Sequence, residues 1–254
     1  MAAIKKEVIA SAPDYWAEAC KHLVKKDRVL RRLIPQVGDV ALYQRGDAFT
    51  TLARSIVGQQ VSVASAQRVW DRLAALPRSM TPRSVLKLKV DDMRAAGLSA
   101  RKVEYLVDLA LHFDSGQLHV KQWDQMDDPA IVAELVAIRG ISRWTADMFL
   151  IFHLARPNVL PLDDATLIQG ISQHYFSGDP VSRSDAREVA QAWNPWCSVA
   201  SWYIWRSLAP LPVDYRSHID ARATSFAHRP EATPIGSNTL YGLRATHCRP
   251  GIQN

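Results

Sequence analysis

A chain of 254 residues with 48% hydrophobic content, 11 Gly and 14 Pro can bury a full core as one domain or two, and is neither low-complexity nor fibrous. The net charge of +6 points only weakly to a polyanionic partner, because residues 216–254 hold five Arg against Asp220 and Glu231 and so carry half of the excess. Cys20, Cys197 and Cys248 show no paired, zinc or iron–sulfur spacing, which argues against a disulfide framework and for a reduced compartment.

The N-terminal stretch MAAIKKEVIASAPDYW lacks the ~7–15-residue apolar region of a signal peptide. No run reaches the ~20 apolar residues of a membrane span. A soluble cytoplasmic protein with no membrane partner is expected. From Phe49 apolar residues recur at helical spacing, interrupted at Gly58-Gln59-Gln60. That interruption reads as a short turn between two helices, with Ser62 capping the second. Pro77 and Pro82 bracket a loop, and a helix is expected from about Arg83. Asp91-Asp92 and Gly97 mark a further boundary. RKVEYLVDLALHF (101–113) is amphipathic, and Asp114-Ser115-Gly116 ends it. Asp128-Pro129 opens a helix that runs towards Gly140. Helices are expected over 143–153, 185–193 and 198–208, and no run alternates as a strand would. After Pro210-Leu211-Pro212 the periodicity stops, and 216–254 is expected to be a disordered or loosely attached tail. His218, His228 and His247 in it fit no metal-site spacing. The fold class is all-α.

The segment 135–167 carries the chemistry. Gly140-Ile141-Ser142 forms a tight turn between two apolar helices, and Asp164 follows Gly140 by twenty-four residues at the entry of another helix. Glycine tolerates such a turn and admits a close phosphate. The open amides and dipole of the second helix favour an anion. A grip of this kind binds nucleic acid without reading sequence. On the spacing alone, an ordinary helix–turn–helix connection remains open. So does a plain N-cap role for Asp163 or Asp164.

Three blocks together are far more specific: LARSIVGQQVSVASA (52–66), IRGISRWTADMF (138–149) and VLPLDDATLIQGI (159–171), with WNPWCSVASWYIWRSL (193–208) as a weaker fourth. In order and spacing they resemble the helix-hairpin-helix DNA glycosylase superfamily. The likeness is strongest to its monofunctional alkylpurine branch, typified by DNA-3-methyladenine glycosylase II. The resemblance covers roughly residues 15–212. It implies a two-lobed helical fold with a central cleft, occupying residues 1–215. One lobe would span 50–155, and the other would combine 1–49 with 156–215. The stretch before Phe49 leaves no room for the N-terminal sheet domain of larger relatives, so the compact form is expected.

What the resemblance implies about the site follows block by block. Asp164 falls on the family's catalytic aspartate, with Asp163 beside it to cap or orient. An ionised carboxylate there would stabilise positive charge developing on the sugar as the N-glycosidic bond breaks. Bifunctional relatives carry a nucleophilic lysine where this chain has Trp144, so hydrolysis to an abasic site is expected. Trp144, Met148, Trp205 and Gln59 are the implied pocket, aromatic faces suiting an electron-poor purine. Trp193 and Trp196 are read as core. Met148 departs from the tyrosine of some relatives. Gln60 would enter the gap left by the flipped base, with Gln59 supporting it or lining the pocket. Gly140, Ile141, Ser142, Arg143 and Thr145 would hold DNA. Ser142 replaces a second hairpin glycine, and Cys197 replaces an arginine. No cofactor is implied for catalysis, although Na+ or K+ at the carbonyls of Val136, Ile138 and Ile141 is. The implied partner is double-stranded DNA with a damaged base, bound by a monomer. The implied bases are 3-methyladenine and 7-methylguanine. The rival readings are a glycosylase for uracil, hypoxanthine or ethenoadenine, and a DNA-binding module without chemistry.

Overall fold

Side-chain caps punctuate the chain and set where most of the described helices begin. A computed structural model describes residues 12–37, 42 and 46–208, all within one compact unit. The expected tail over 216–254, with Cys248, lies outside the described residues. Asp47 accepts from Thr50 N at 2.9 Å and starts α3, Ala48–Gly58. Ser62 caps α4, Val63–Ala74, as its position after the Gln59-Gln60 turn predicts. A reciprocal Thr81–Ser84 capping box opens α5, Pro82–Val85, and Ser99 caps α7, Ala100–Asp114. Asp127 caps α8, Asp128–Val136, with Pro129 in its first turn. Ser142 caps α9, Arg143–Phe152, and Asp164 caps α10, Ala165–Tyr175. Ahead of these lie α1, Trp16–Lys26, and α2, Arg28–Val37.

Several boundaries differ from the sequence expectation. The helix expected from Arg83 lasts only to Val85, and a separate α6, Val90–Ala95, follows. Asp91 and Asp92 therefore sit in a first turn, where carboxylates favour the helix dipole, and do not mark a boundary. The helix expected over 185–193 splits into α11, Arg183–Val189, and a 3-10 turn, Ala190–Trp193. The last of the described helices, α12, is Cys197–Ser207. Another 3-10 turn, Val120–Gln125, precedes α8. No strand occurs among the described residues, and none of their helices is long and apolar enough to cross a membrane.

The helices pack in two groups. In one, α3 lies against α4, α7 and α9, with α5 and α6 on α7 and α8 on α9. In the other, α12 lies against α1, α2 and α10, with α11 on α10. The stripe Val103, Leu106, Leu109 and Ala110 buries one face of α7, the periodicity that makes 101–113 amphipathic. Trp193 is fully buried, as read from sequence, and its indole N–H donates to Asp27 Oδ2 at 3.0 Å. Asp27 also accepts from Val29 N, Leu30 N and Tyr175 OH, so this buried carboxylate is saturated with donors. Trp196 is half-buried and stacks on Tyr15.

The segment joining the two groups is pinned from both sides. Tyr15 OH donates to Ala155 O at 2.6 Å, and Ser198 Oγ donates to Arg156 O at 2.6 Å. The Arg156 guanidinium reaches the other way, to the carbonyls of Trp123 and Met126 and to Asp128 Oδ1. Cys197 is buried beside Ala190 and Asn194, and burial pushes its thiol up to about 12. It is a packed small hydrophobe.

Candidate functional site

The carboxylate of Asp164 is gripped by three N–H donors from three elements. Its Oδ1 accepts from Leu167 N at 2.7 Å and from Trp205 Nε1 at 2.9 Å. Its Oδ2 accepts from Trp144 Nε1 at 2.8 Å. The cap and the functional reading of Asp164 are therefore compatible, because one oxygen performs the capping and the other points elsewhere. Asp163 does not cap. It turns outward and pairs with Arg183 Nη2 at 2.6 Å. Close packing places these elements: a Cβ on Gly170 of α10 would lie 2.3 Å from Ile204 Cγ2 of α12. Only glycine lets the two helices approach so nearly. Trp205 is 4% exposed and stacks on Phe152 at 5.7 Å between centroids. Trp144 is 37% exposed.

Beside Trp144 lies an open groove of about 660 Å³, walled by the end of α3, the start of α7 and the hairpin. Gln60, Gly140, Ile141, Ser142 and Thr145 all line it, so the two loops singled out in the sequence meet at one surface. Arg54, Arg101 and Lys102 add three cations, and among the described residues no carboxylate lines it. Sequence reading missed these three. Nothing in their spacing ties them to loops elsewhere in the chain.

Gly140 has φ +88°, and a Cβ there would meet the Tyr105 ring at 2.3 Å. The glycine is thus required twice, by conformation and by contact. Ser142 Oγ accepts from Thr145 N at 3.2 Å, so the residue replacing a second glycine supplies the cap of α9. The next amides open that helix where intrahelical partners are lacking. Arg143 is exposed, and its Nε pairs with Asp147 Oδ1 at 2.8 Å. Burial raises the Asp147 carboxyl pKa above its usual value, with Arg143 opposing the shift.

Some predicted residues stand elsewhere than expected. Met148 is 2% exposed, packed in the core face of α9, and does not line the groove. It offers no open surface to a ligand. Thr145 is 3% exposed, its hydroxyl 3.1 Å from that of Ser142, so it braces the turn from within. Ile141 is likewise buried, and its amide donates to Ile138 O at 3.1 Å. Gln59 is on the groove, but its amide nitrogen donates to Gly140 O at 2.8 Å. It links the turn to the hairpin. Among the described residues no cluster of His, Cys, Asp or Glu could hold a metal ion.

Comparison with known proteins agrees with this geometry. Residues 53–196 match the family described as HhH-GPD superfamily base excision DNA repair protein. A Bacillus subtilis protein that carries the name of a candidate DNA-3-methyladenine glycosylase is 35% identical over 127 residues. That match spans 50% of this chain and 44% of that protein, less than half of its length. The crystal structure of a DNA-3-methyladenine glycosidase from Bacillus halodurans superposes with a TM-score of 0.72 at 31% identity, covering 79% of this chain and 93% of that one. A Schizosaccharomyces pombe 3-methyladenine DNA glycosylase solved with abasic DNA gives a TM-score of 0.65 at 26% identity, covering 75% and 96%. With the hairpin, the flanking blocks and the fold in agreement, the chain belongs to the HhH-GPD superfamily of base excision DNA repair proteins.

Proposed function

We propose that this protein is a monofunctional DNA glycosylase that hydrolyses the N-glycosidic bond of alkylated purines, 3-methyladenine and 7-methylguanine foremost, and leaves an abasic site. The observation that carries the reading is the Asp164 carboxylate, held by two indole N–H groups and one amide; it does not itself line the hairpin groove and is joined to it through Trp144, which does. Fixed donors of this kind preorganise a negative charge. As the glycosidic bond breaks, positive charge grows on the sugar, and Asp164 stabilises it. An alkylated purine already carries positive charge and leaves readily, so one carboxylate suffices. Trp144 stands where a lyase keeps its lysine, and the neighbouring Arg143 pairs with Asp147 and offers no amine nucleophile. Water is therefore the acceptor, and the strand stays uncut.

Double-stranded DNA with a damaged base is the proposed partner of a monomer. The hairpin would take a phosphate, and Gln60 would enter the stack. The groove's three cations and absent acids favour a polyanion. A sodium or potassium ion fits the donor set at the hairpin. Val136 is the last residue of α8, where helix-end carbonyls carry partial negative charge, and Ile138 lies just beyond the C-cap. The Ile138 carbonyl keeps a second lone pair beside the one taken by Ile141 N. Such an ion would add positive charge beside a bound phosphate.

The deciding experiment measures base release from duplexes that each hold one defined lesion, using wild type and Asp164→Asn. Wild type should release methylated purines and leave the strand intact. Asp164→Asn should keep DNA binding and lose release by about 100-fold or more. Full release by Asp164→Asn, or a borohydride-trapped protein–DNA adduct with wild type, would overturn the reading.

A further inference from the structure

One face of α7 supports both loops of the groove. Lys102, Tyr105 and Asp108 recur at every third residue of that helix. Lys102 Nζ donates to Val57 O at 2.7 Å and to Gln59 O at 2.8 Å. These carbonyls close α3, so the ammonium stands in for amides that a helix end lacks. The chain then reverses through Gln60 at φ 57°, a left-handed conformation unusual outside glycine. Conformations of this kind persist only where the surroundings hold them, and they gather at ligand clamps. Further along the face, the Tyr105 ring packs against Gly140. Asp108 then accepts from Arg139 N at 2.8 Å and from Arg139 Nε at 3.2 Å. The Gln59 side chain closes the circuit, donating to Gly140 O at 2.8 Å.

We infer that Lys102 and Gln59 are positioning residues that lock the Gln60 turn to the hairpin at a fixed spacing and so drive base extrusion. The inference rests on the glycosylase reading above. The hairpin holds a phosphate, and the lock carries that fixed point to the side chain that enters the stack. Without the lock, Gln60 must be ordered at the moment of insertion, and opening an intact pair becomes slower. An unpaired lesion needs less opening, so the lock should matter less there.

The test compares release of 7-methylguanine paired with cytosine and unpaired within a small bubble. Lys102→Met keeps the aliphatic stem and removes both donated bonds. Its paired-to-unpaired rate ratio should fall by about tenfold or more, the scale of losing hydrogen bonds from a charged donor. Lys102→Arg, with several donors, should restore most of the ratio. Gln59→Leu should lower the ratio in the same direction, and circular dichroism confirms that each variant is folded. A ratio unchanged in both variants overturns the inference, whether the two rates fall together or stay level. If wild type releases no base from either substrate, the glycosylase reading fails instead. Fluorescence of 2-aminopurine placed opposite the lesion then still reports insertion. Equal fluorescence for wild type and Lys102→Met would overturn the lock, and a weaker rise in the variant would sustain it.

Discussion

The indole N–H of Trp205 lies 2.9 Å from Asp164 Oδ1, a bond from α12 to the first residue before α10 that fixes the carboxylate from behind. Trp144 binds the other oxygen from the exposed side. The two tryptophans hold one group in different surroundings, so removing each donor should have separable effects. Trp205→Phe deletes a buried bond to a charged acceptor and should lower folding stability by about 2 kcal/mol or more. Trp144→Phe should barely change stability yet slow base release about tenfold, because it frees the outward oxygen. Thermal melting and single-turnover release together check both. Equal loss of stability in the two variants would contradict the assignment.

Gly170 sets the spacing that lets Trp205 reach Asp164. Gly170→Ala would drive a methyl to 2.3 Å from Ile204 Cγ2. The α10–α12 contact must then open, at a cost of about 1–3 kcal/mol for overpacking. Release should slow along with the loss of stability. Adding Ile204→Ala to Gly170→Ala should recover much of the rate by making room. A double variant no better than the single one would show that the spacing is set elsewhere.

At the hairpin, Gly140→Ala meets a positive φ and the Tyr105 ring together. DNA affinity should fall about tenfold or more, and the order of preference among lesions should stay the same, because in the proposed function the hairpin takes a phosphate and not a base. Tyr105→Ala in the same chain relieves the contact but leaves the strained φ, so recovery should be partial. Titration of a fluorescent duplex measures this. A changed lesion preference would place the hairpin in base recognition.

Burial pushes the Tyr15 hydroxyl up to about 12 while it donates to Ala155 O. The folded pKa lies above the unfolded value of about 10. Tyr15 therefore adds stability that is whole below pH 10 and is lost as pH rises from about 10 through about 12. Allowing for its partly exposed ring, the contribution is about 1–2 kcal/mol. Tyr15→Phe should be less stable than wild type at pH 8, and the gap should narrow by pH 11.5 in denaturant titrations. A constant gap would sever the link.

Much of this arrangement is written locally in the chain. Ser62 and the Gly140 turn announce themselves because a cap or a positive φ restricts which residue can stand there, whereas the cap of α8 falls on Asp127, one residue ahead of the Asp128 that the sequence points to. The motif singles out Asp164 and leaves capping or orienting to Asp163, whereas Asp164 is the residue that caps. That depends on where Arg183 and Trp205 lie in space. Lys102, Tyr105 and Asp108 were invisible for the same reason. They occupy the polar edge of an amphipathic helix, and their partners at 57–59 and 139–140 are distant in sequence. Met148 reads as a pocket residue from its motif, whereas its depth in the core is a matter of how α9 is rotated.

The pinned crossing between the helix groups has a mechanical consequence. Ala155 and Arg156 are bonded on one side to Tyr15 and Ser198 and on the other to the carbonyls ahead of α8. A jaw hinged there could not swing without breaking several short bonds at once. Under the proposed function the protein would act as a stiff mould, and it is the double helix that would have to yield to it. Sites where damage has already softened the stack would conform first, so sorting by compliance would begin before any edge of the base is inspected.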